Sequence, residues 1–157
     1  HSERRELYGE SDQLVAVKAA AAIGAGLTPV VCLGETLVQR QEGKTEFVVL
    51  RQLNAVVQQI GIEGIEKCIV AYEPVWAIGT GEEASPEIAQ EVHEALKRAA
   101  RSNIKALELR VLYGGSVNAD NANALMRMPD VDGVLVGGAS LEALGFRELC
   151  AQVAGSV

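Results

Sequence analysis

The sequence predicts an α/β protein built on a parallel sheet, and three observations carry that prediction. Four short apolar runs alternate with stretches of helical periodicity, the runs are filled by Val, Ile, Leu and Ala, and each ends in glycine or glutamate. Continuous apolar runs are what parallel strands covered by helices on their faces require. Strand and helix in regular alternation imply right-handed crossovers, with ligand chemistry at the carboxyl ends of the strands. No linker of domain-boundary character interrupts residues 1–157, so a single domain unit is expected.

Composition narrows the function classes. With 157 residues, 48% of them hydrophobic and 22% charged, the chain can bury a core, and disorder is excluded. Its 14 basic and 21 acidic residues leave a net charge of −7, which argues against nucleic acid and anionic membrane as partners. Any anionic ligand must then be held by local groups. The uncharged stretch Ala19–Gly34 is broken by Gly24, Gly26 and Pro29 and is too short for a bilayer span. Cys32, Cys68 and Cys150 lie far apart without metal-ligand spacing, which reads as buried free thiols in a reducing cytoplasm. The chain opens with His1 rather than Met and carries no signal peptide, so it is expected to be the interior of a longer product.

The elements follow in order. Ser2–Tyr8 is a short charged segment closed by Gly9, and Ser11-Asp12 offer an N-cap and an acidic first turn to a helix reaching about Ile23. Its apolar stripe is read as Leu14, Val15, Val17, Ala21 and Ala22. A strand over Leu27–Leu33 follows, then a helical turn, Gly43, and a helix over about Thr45–Ile60 whose inward face is Phe47, Leu50, Leu53, Val56 and Val57. Ile69–Tyr72 is the second strand, ended by Pro74. Ser85-Pro86-Glu87 then starts a helix running to about Ser102, with serine at the N-cap and proline at the first position. Leu109–Tyr113 is the third strand, followed by a helix from the Asn118 cap to about Met128. Val134–Val136 is the fourth, before a last helix capped by Ser140 and running to about Val153.

The strand ends hold the candidate chemistry. Glu73 stands at the end of the second strand, before a loop (Val75-Trp76-Ala77-Ile78) too apolar for ordinary exposure, and Gly79 and Gly81 suit a hinge, so the segment reads as a lid over a carboxylate. Gly114-Gly115-Ser116 and Gly137-Gly138 are glycine pairs at the heads of helices, where backbone N–H groups approach an anion closely; together they point to a phosphate site. The spacing Gly79-x-Gly81-x-x-Ala84 formally matches a dinucleotide fingerprint but comes too far after its strand, and Glu82-Glu83 would repel a pyrophosphate. His93 reads as a solvated helical histidine, Glu3 and Glu35 as structural ion pairs, and Tyr72 and Trp76 as packing residues.

Five segments then combine into one resemblance. His1-Ser2-Glu3-Arg4-Arg5, Cys32-Leu33-Gly34-Glu35-Thr36, Ala71 to Gly81 (AYEPVWAIGTG), Tyr113-Gly114-Gly115-Ser116-Val117 and Val136-Gly137-Gly138-Ala139-Ser140-Leu141 together resemble the triosephosphate isomerases of bacterial type, in order and across the whole chain. The resemblance implies an eight-stranded (β/α) TIM barrel of roughly 250 residues, of which this chain supplies about the second half: four parallel strands with their helices. It implies interconversion of dihydroxyacetone phosphate and glyceraldehyde 3-phosphate through an enediolate. Glu73 would be the general base, and His1 the neutral electrophile kept so by a helix start at Ser2. Gly79, Ser116, Gly137 and Gly138 would bind the substrate phosphate. No cofactor or metal is implied, and the complete enzyme would be a homodimer.

The same resemblance implies that about three βα units, the strand before His1, and an asparagine and a lysine of the family's site lie outside this chain. Alone, the chain is expected to have negligible isomerase activity and to self-associate or to need its missing half. The alternative reading is a non-enzymatic half-barrel fragment that self-associates. A Schiff-base aldolase is disfavoured, because none of the four strand ends carries a lysine.

Overall fold

The computed structural model describes residues 1–78, 82–103 and 109–155. Its centre is a four-stranded parallel sheet in the order β1 (Val30–Leu33), β2 (Ile69–Tyr72), β3 (Val111–Tyr113) and β4 (Gly133–Val134). Around it stand α1 (Ser2–Tyr8), α2 (Asp12–Gly24), α3 (Leu37–Gln41), α4 (Thr45–Ile65), α5 (Pro86–Asn103), α6 (Ala119–Met126) and α7 (Ala143–Ala154). The α/β class and the four parallel strands are those the sequence predicts. Among the described residues no helix is long and apolar enough to cross a membrane.

Register puts Leu33 opposite Tyr72 and Tyr72 opposite Tyr113, and these residues join Val31, Val70 and Val111 in the main hydrophobic cluster with α4 and α5. Cys32, Ala71 and Leu112 make the alternate row. The ladder continues one residue past the strands: the N–H groups of Glu73, Gly114 and Leu135 donate to the carbonyls of Leu33, Tyr72 and Tyr113 at 2.7, 2.7 and 2.8 Å. Residues at the strand ends are therefore fixed by sheet hydrogen bonds although they lie in loops.

β1 and β3 start later than expected, β2 has the expected bounds, and β4 starts one residue earlier and ends at Val134 instead of Val136. β1 begins at Val30 because Pro29 has no N–H to give; only its carbonyl pairs, accepting from Ile69. α4 runs past Ile60 to Ile65, broken at Gly61, whose φ of 67° is a left-handed value that suits glycine. Its inward face is corrected as well: Phe47 is 67% exposed, and Val48, Val49, Gln52, Leu53 and Val56 are the buried residues. On α2 the buried stripe is Ala16 and Ala19, while Leu14 and Val17 face out. Small residues let α2 lie close against α4.

Caps follow the sequence at Ser11, Ser85 and Asn118, each accepting from main-chain N–H groups of its first turn. Ser140 does not cap the last helix. A 3-10 turn covers Gly138–Ser140, the Ser140 hydroxyl donates to the Gly137 carbonyl, and Glu142 caps α7 by accepting from the N–H groups of Leu144 and Gly145. Two further expectations are overturned. His93 is fully buried between Tyr72 and Tyr113, because α5 turns that face onto the sheet. Cys150 is exposed on α7, whereas Cys32 and Cys68 are buried as expected.

Candidate active site

The loops after β2, β3 and β4 converge on an open cavity of about 430 Å³ lined by His1, Glu73, Ile78, Gly114 to Val117 and Leu135 to Ala139. Glu73, 1% exposed, is its buried carboxylate. Oε2 accepts from the Ser2 main-chain N–H at 2.7 Å, and Oε1 lies 2.9 Å from His1 Nε2. Ser2 opens α1, so the carboxylate sits where a helix start offers a free donor and a positive dipole end.

His1 is the N-cap of α1. Its Nδ1 accepts from the Glu3 main-chain N–H at 3.3 Å, which assigns the ring proton to Nε2. The Nε2–H then donates to Glu73 Oε1. The ring's Nε2 faces the cavity's carboxylate.

Two glycines make room for Glu73. A β-carbon on Gly34 would stand 1.7 Å from the Glu73 carbonyl oxygen, and one on Gly114 would stand 2.8 Å from Glu73 Cγ. Cys32 lies near the same carboxylate; burial, and then the Glu73 charge, push its thiol up to about 11, so it is an inert neighbour.

Glu35 is fully buried, and its Oε1 accepts from Tyr72 Oη at 3.1 Å, Trp76 Nε1 at 3.0 Å and Arg40 Nη1 at 3.5 Å. The Arg40 guanidinium also stands 5.1 Å over the Trp76 ring. Burial and the Glu35 charge raise the Tyr72 hydroxyl far above its ordinary value. Tyr72 and Trp76 are thus polar partners of Glu35 as well as packing residues. Trp76 lies in the 3-10 turn Val75–Ala77, and the turn is tied again where Ser116 Oγ donates to the Ala77 carbonyl at 2.6 Å.

Of the residues singled out in the sequence, His1, Glu73, Ser116, Gly137 and Gly138 share this cavity; Gly79 lies outside the described residues. The Ser116 hydroxyl is engaged by Ala77 rather than turned to open space. Gly137 and Gly138 are exposed, with nothing within 4 Å of where a β-carbon would stand, at the head of the 3-10 turn. Glu3 is exposed, its carboxylate 3.9 Å from His1 Nδ1. Among the described residues no group of three or more His, Cys, Asp and Glu side chains is placed to hold a metal ion. Sequence reasoning missed the Ser2 N–H, which only the fold brings to Glu73 from 71 residues away.

The sequence model of the family described as triosephosphate isomerase matches residues 1–153. The chain belongs to the triosephosphate isomerase family. Similar relatives, each named triosephosphate isomerase, include those of Bordetella pertussis (58% identical over 96% of this chain and 60% of the relative), Herminiimonas arsenicoxydans (55%, over 93% and 60%) and Nitrosococcus oceani (54%, over 99% and 62%). The chain therefore spans about 60% of the length of the curated triosephosphate isomerases it matches.

Proposed function

We propose that the chain is the part of a triosephosphate isomerase that carries the catalytic base, the electrophile and most of the phosphate cradle. The substrates are dihydroxyacetone phosphate and glyceraldehyde 3-phosphate. The observation that supports this reading is the buried Glu73 carboxylate 2.9 Å from His1 Nε2, on the wall of a cavity that also holds two glycine-rich loops.

The chemistry follows from the donors and acceptors. A substrate carbonyl entering the cavity takes over the His1 Nε2–H, and the carboxylate that had accepted it becomes a free base. Glu73 removes the proton from the carbon next to the polarised carbonyl, and the resulting enediolate oxygen is held by the His1 N–H. The neighbouring hydroxyl gives its proton to the enediolate oxygen by way of His1 Nε2, and Glu73 returns the carbon-derived proton to the adjacent carbon, so that the carbonyl has moved by one position. Gly137 and Gly138 bind the phosphate through main-chain N–H groups, with Ser116 and Gly79 added once the lid moves. Burial keeps bulk water away from the carboxylate.

The remaining expectations are carried by family likeness. The chain is one portion of a single barrel domain, the complete enzyme is a cytoplasmic homodimer, and the isolated chain, at about 60% of its relatives' length, has negligible activity. The test is isomerisation in deuterated water by the complete enzyme containing this segment. Passage through an enediolate places deuterium on the carbon beside the carbonyl of the product, in step with turnover. A complete enzyme that neither turns over nor exchanges that proton would overturn the reading.

A further inference from the structure

Gln52 is a buried amide, 5% exposed, on the face of α4 that otherwise buries Val49, Leu53 and Val56. Both ends of the amide bond to one residue. Oε1 accepts from the Gly34 N–H at 2.8 Å, and Nε2 donates to the Gly34 carbonyl at 3.1 Å. A side chain thus holds Gly34 by the two groups through which a neighbouring strand would hold it.

Gly34 is the residue on which the Glu73 main chain rests. Its Cα approaches the Glu73 carbonyl so closely that any side chain is excluded. On either side of it, the Leu33 carbonyl accepts from the Glu73 N–H at 2.7 Å and the Glu35 carbonyl accepts from the Val75 N–H at 3.1 Å. Leu33 to Glu35 therefore form a rail along which Glu73 and Val75 are aligned. Gln52 fixes the middle of that rail.

We propose that Gln52 is a positioning residue for the base: by clamping Gly34 it sets where the Glu73 main chain lies and hence where its carboxylate meets His1 and the substrate carbon. The inference rests on the role of Glu73 given above. The carboxylate sits at the end of a lever anchored at that main chain, so a small slip of the rail becomes a larger displacement at the reacting oxygen. Proton transfer from carbon tolerates little displacement. The amide is chosen for the task because it is donor and acceptor at once. Gln52→Glu keeps an acceptor for the Gly34 N–H but loses the donor to its carbonyl, and Gln52→Met, of similar length, keeps neither.

The experiment compares these two variants with the unsubstituted complete enzyme in steady-state turnover of glyceraldehyde 3-phosphate, with urea unfolding alongside. Gln52→Met is expected to lose kcat by about tenfold to a hundredfold, with Gln52→Glu between it and the unsubstituted enzyme. KM should stay within about twofold, since the phosphate cradle is untouched. Inhibition by inorganic phosphate should be unchanged, while a phosphorylated hydroxamate that mimics the enediolate loses affinity in parallel with kcat. Variants with unchanged kcat would overturn the inference. So would a fall in kcat matched by weaker phosphate inhibition and accounted for by the unfolded fraction, which is what a purely structural amide would give. An unsubstituted enzyme without isomerase activity would overturn the role of Glu73 and this inference together, whereas an active one indifferent to Gln52 overturns only the latter.

Discussion

His1 Nε2 stands 2.9 Å from Glu73 Oε1, so the two residues proposed as electrophile and base are hydrogen-bonded to each other. The second carboxylate oxygen is held by the Ser2 N–H, and the second ring nitrogen by the Glu3 N–H. Two of the partners of this pair are thus main-chain N–H groups of α1. In the proposed reaction a substrate carbonyl replaces only the contact within the pair: it would take the imidazole N–H and leave the carboxylate free to act as base. The short helix α1 therefore holds both His1 and Glu73 through its first main-chain N–H groups.

Replacing Glu73 by Gln puts an amide where the carboxylate was. It can still accept from Ser2 but cannot remove a proton from carbon, and its NH2 group faces the His1 N–H when the oxygen is turned to Ser2. Turnover by the complete enzyme should fall by about a thousandfold or more, the scale on which a general base contributes. KM and inhibition by inorganic phosphate should change little, because the glycine loops are untouched. Unchanged kcat in this variant would remove Glu73 from the role of base.

The two glycines beside Glu73 separate folding from catalysis. A methyl at Gly34 meets main chain that cannot move aside, so Gly34→Ala should destabilise the protein by about 3 kcal/mol or more. A methyl at Gly114 meets the Glu73 side chain at Cγ, which can rotate away, so Gly114→Ala should fold nearly normally and lose kcat as the carboxylate is displaced. Urea unfolding and steady-state kinetics on both variants check this; equal stability loss in the two would contradict it.

The cysteines should differ sharply in reactivity. Cys32, buried and beside the Glu73 carboxylate, has its thiol pushed up to about 11, and burial raises Cys68 as well, while Cys150 is open to solvent. At pH 8 the Cys32 thiolate is only about one part in a thousand. Alkylation of the folded protein with iodoacetamide should mark Cys150 first, with Cys32 modified only after denaturant is added. Mass spectrometry of the peptides checks the order, and early labelling of Cys32 would contradict the burial drawn here.

Much of the site was legible because it depends on local chain signals: a strand, a proline, a carboxylate before it, glycine pairs before helices. The pairing of Glu73 with His1 and Ser2 was not, since those contacts span more than 70 residues and one of the donors is a main-chain N–H with no side-chain signature. Gln52 left a faint mark, a polar residue within the apolar spacing Val49, Leu53, Val56. Phe47 and His93 were misread for one reason. Hydrophobicity ranks a phenylalanine inward and a histidine outward, but the face that α4 and α5 turn to the sheet is set by packing, which put Val49 and His93 inside and left Phe47 out. The ends of the strands moved with Pro29 and with the pairing available, which periodicity does not encode.

His93 makes stability depend on pH. Its Nδ1–H donates to the Asp130 carbonyl, 3.2 Å away, and Nε2 has no hydrogen-bond partner among the described residues. Burial, with the nearby Lys97 charge adding to it and Asp132 and Asp130 opposing it, lowers the ring to about 4 from its ordinary 6.5. Between those values the unfolded chain binds a proton that the folded one refuses. The contribution of the neutral ring is therefore complete above about pH 6.5, declines as the pH falls, and is gone near pH 4; its full size is of the order of 3 kcal/mol. Glu10 acts in a lower window, because its hydrogen bonds from Arg4 and Lys18 hold it at about 2, so its contribution fades only below about pH 4.5. His93→Gln keeps a donor for Asp130 and removes the titration. Urea unfolding at pH 7, 6, 5 and 4.5 should then show the original protein losing stability steeply through this range and the variant losing less. Parallel pH profiles for the two would mean that the ring is charged or solvated in the folded state.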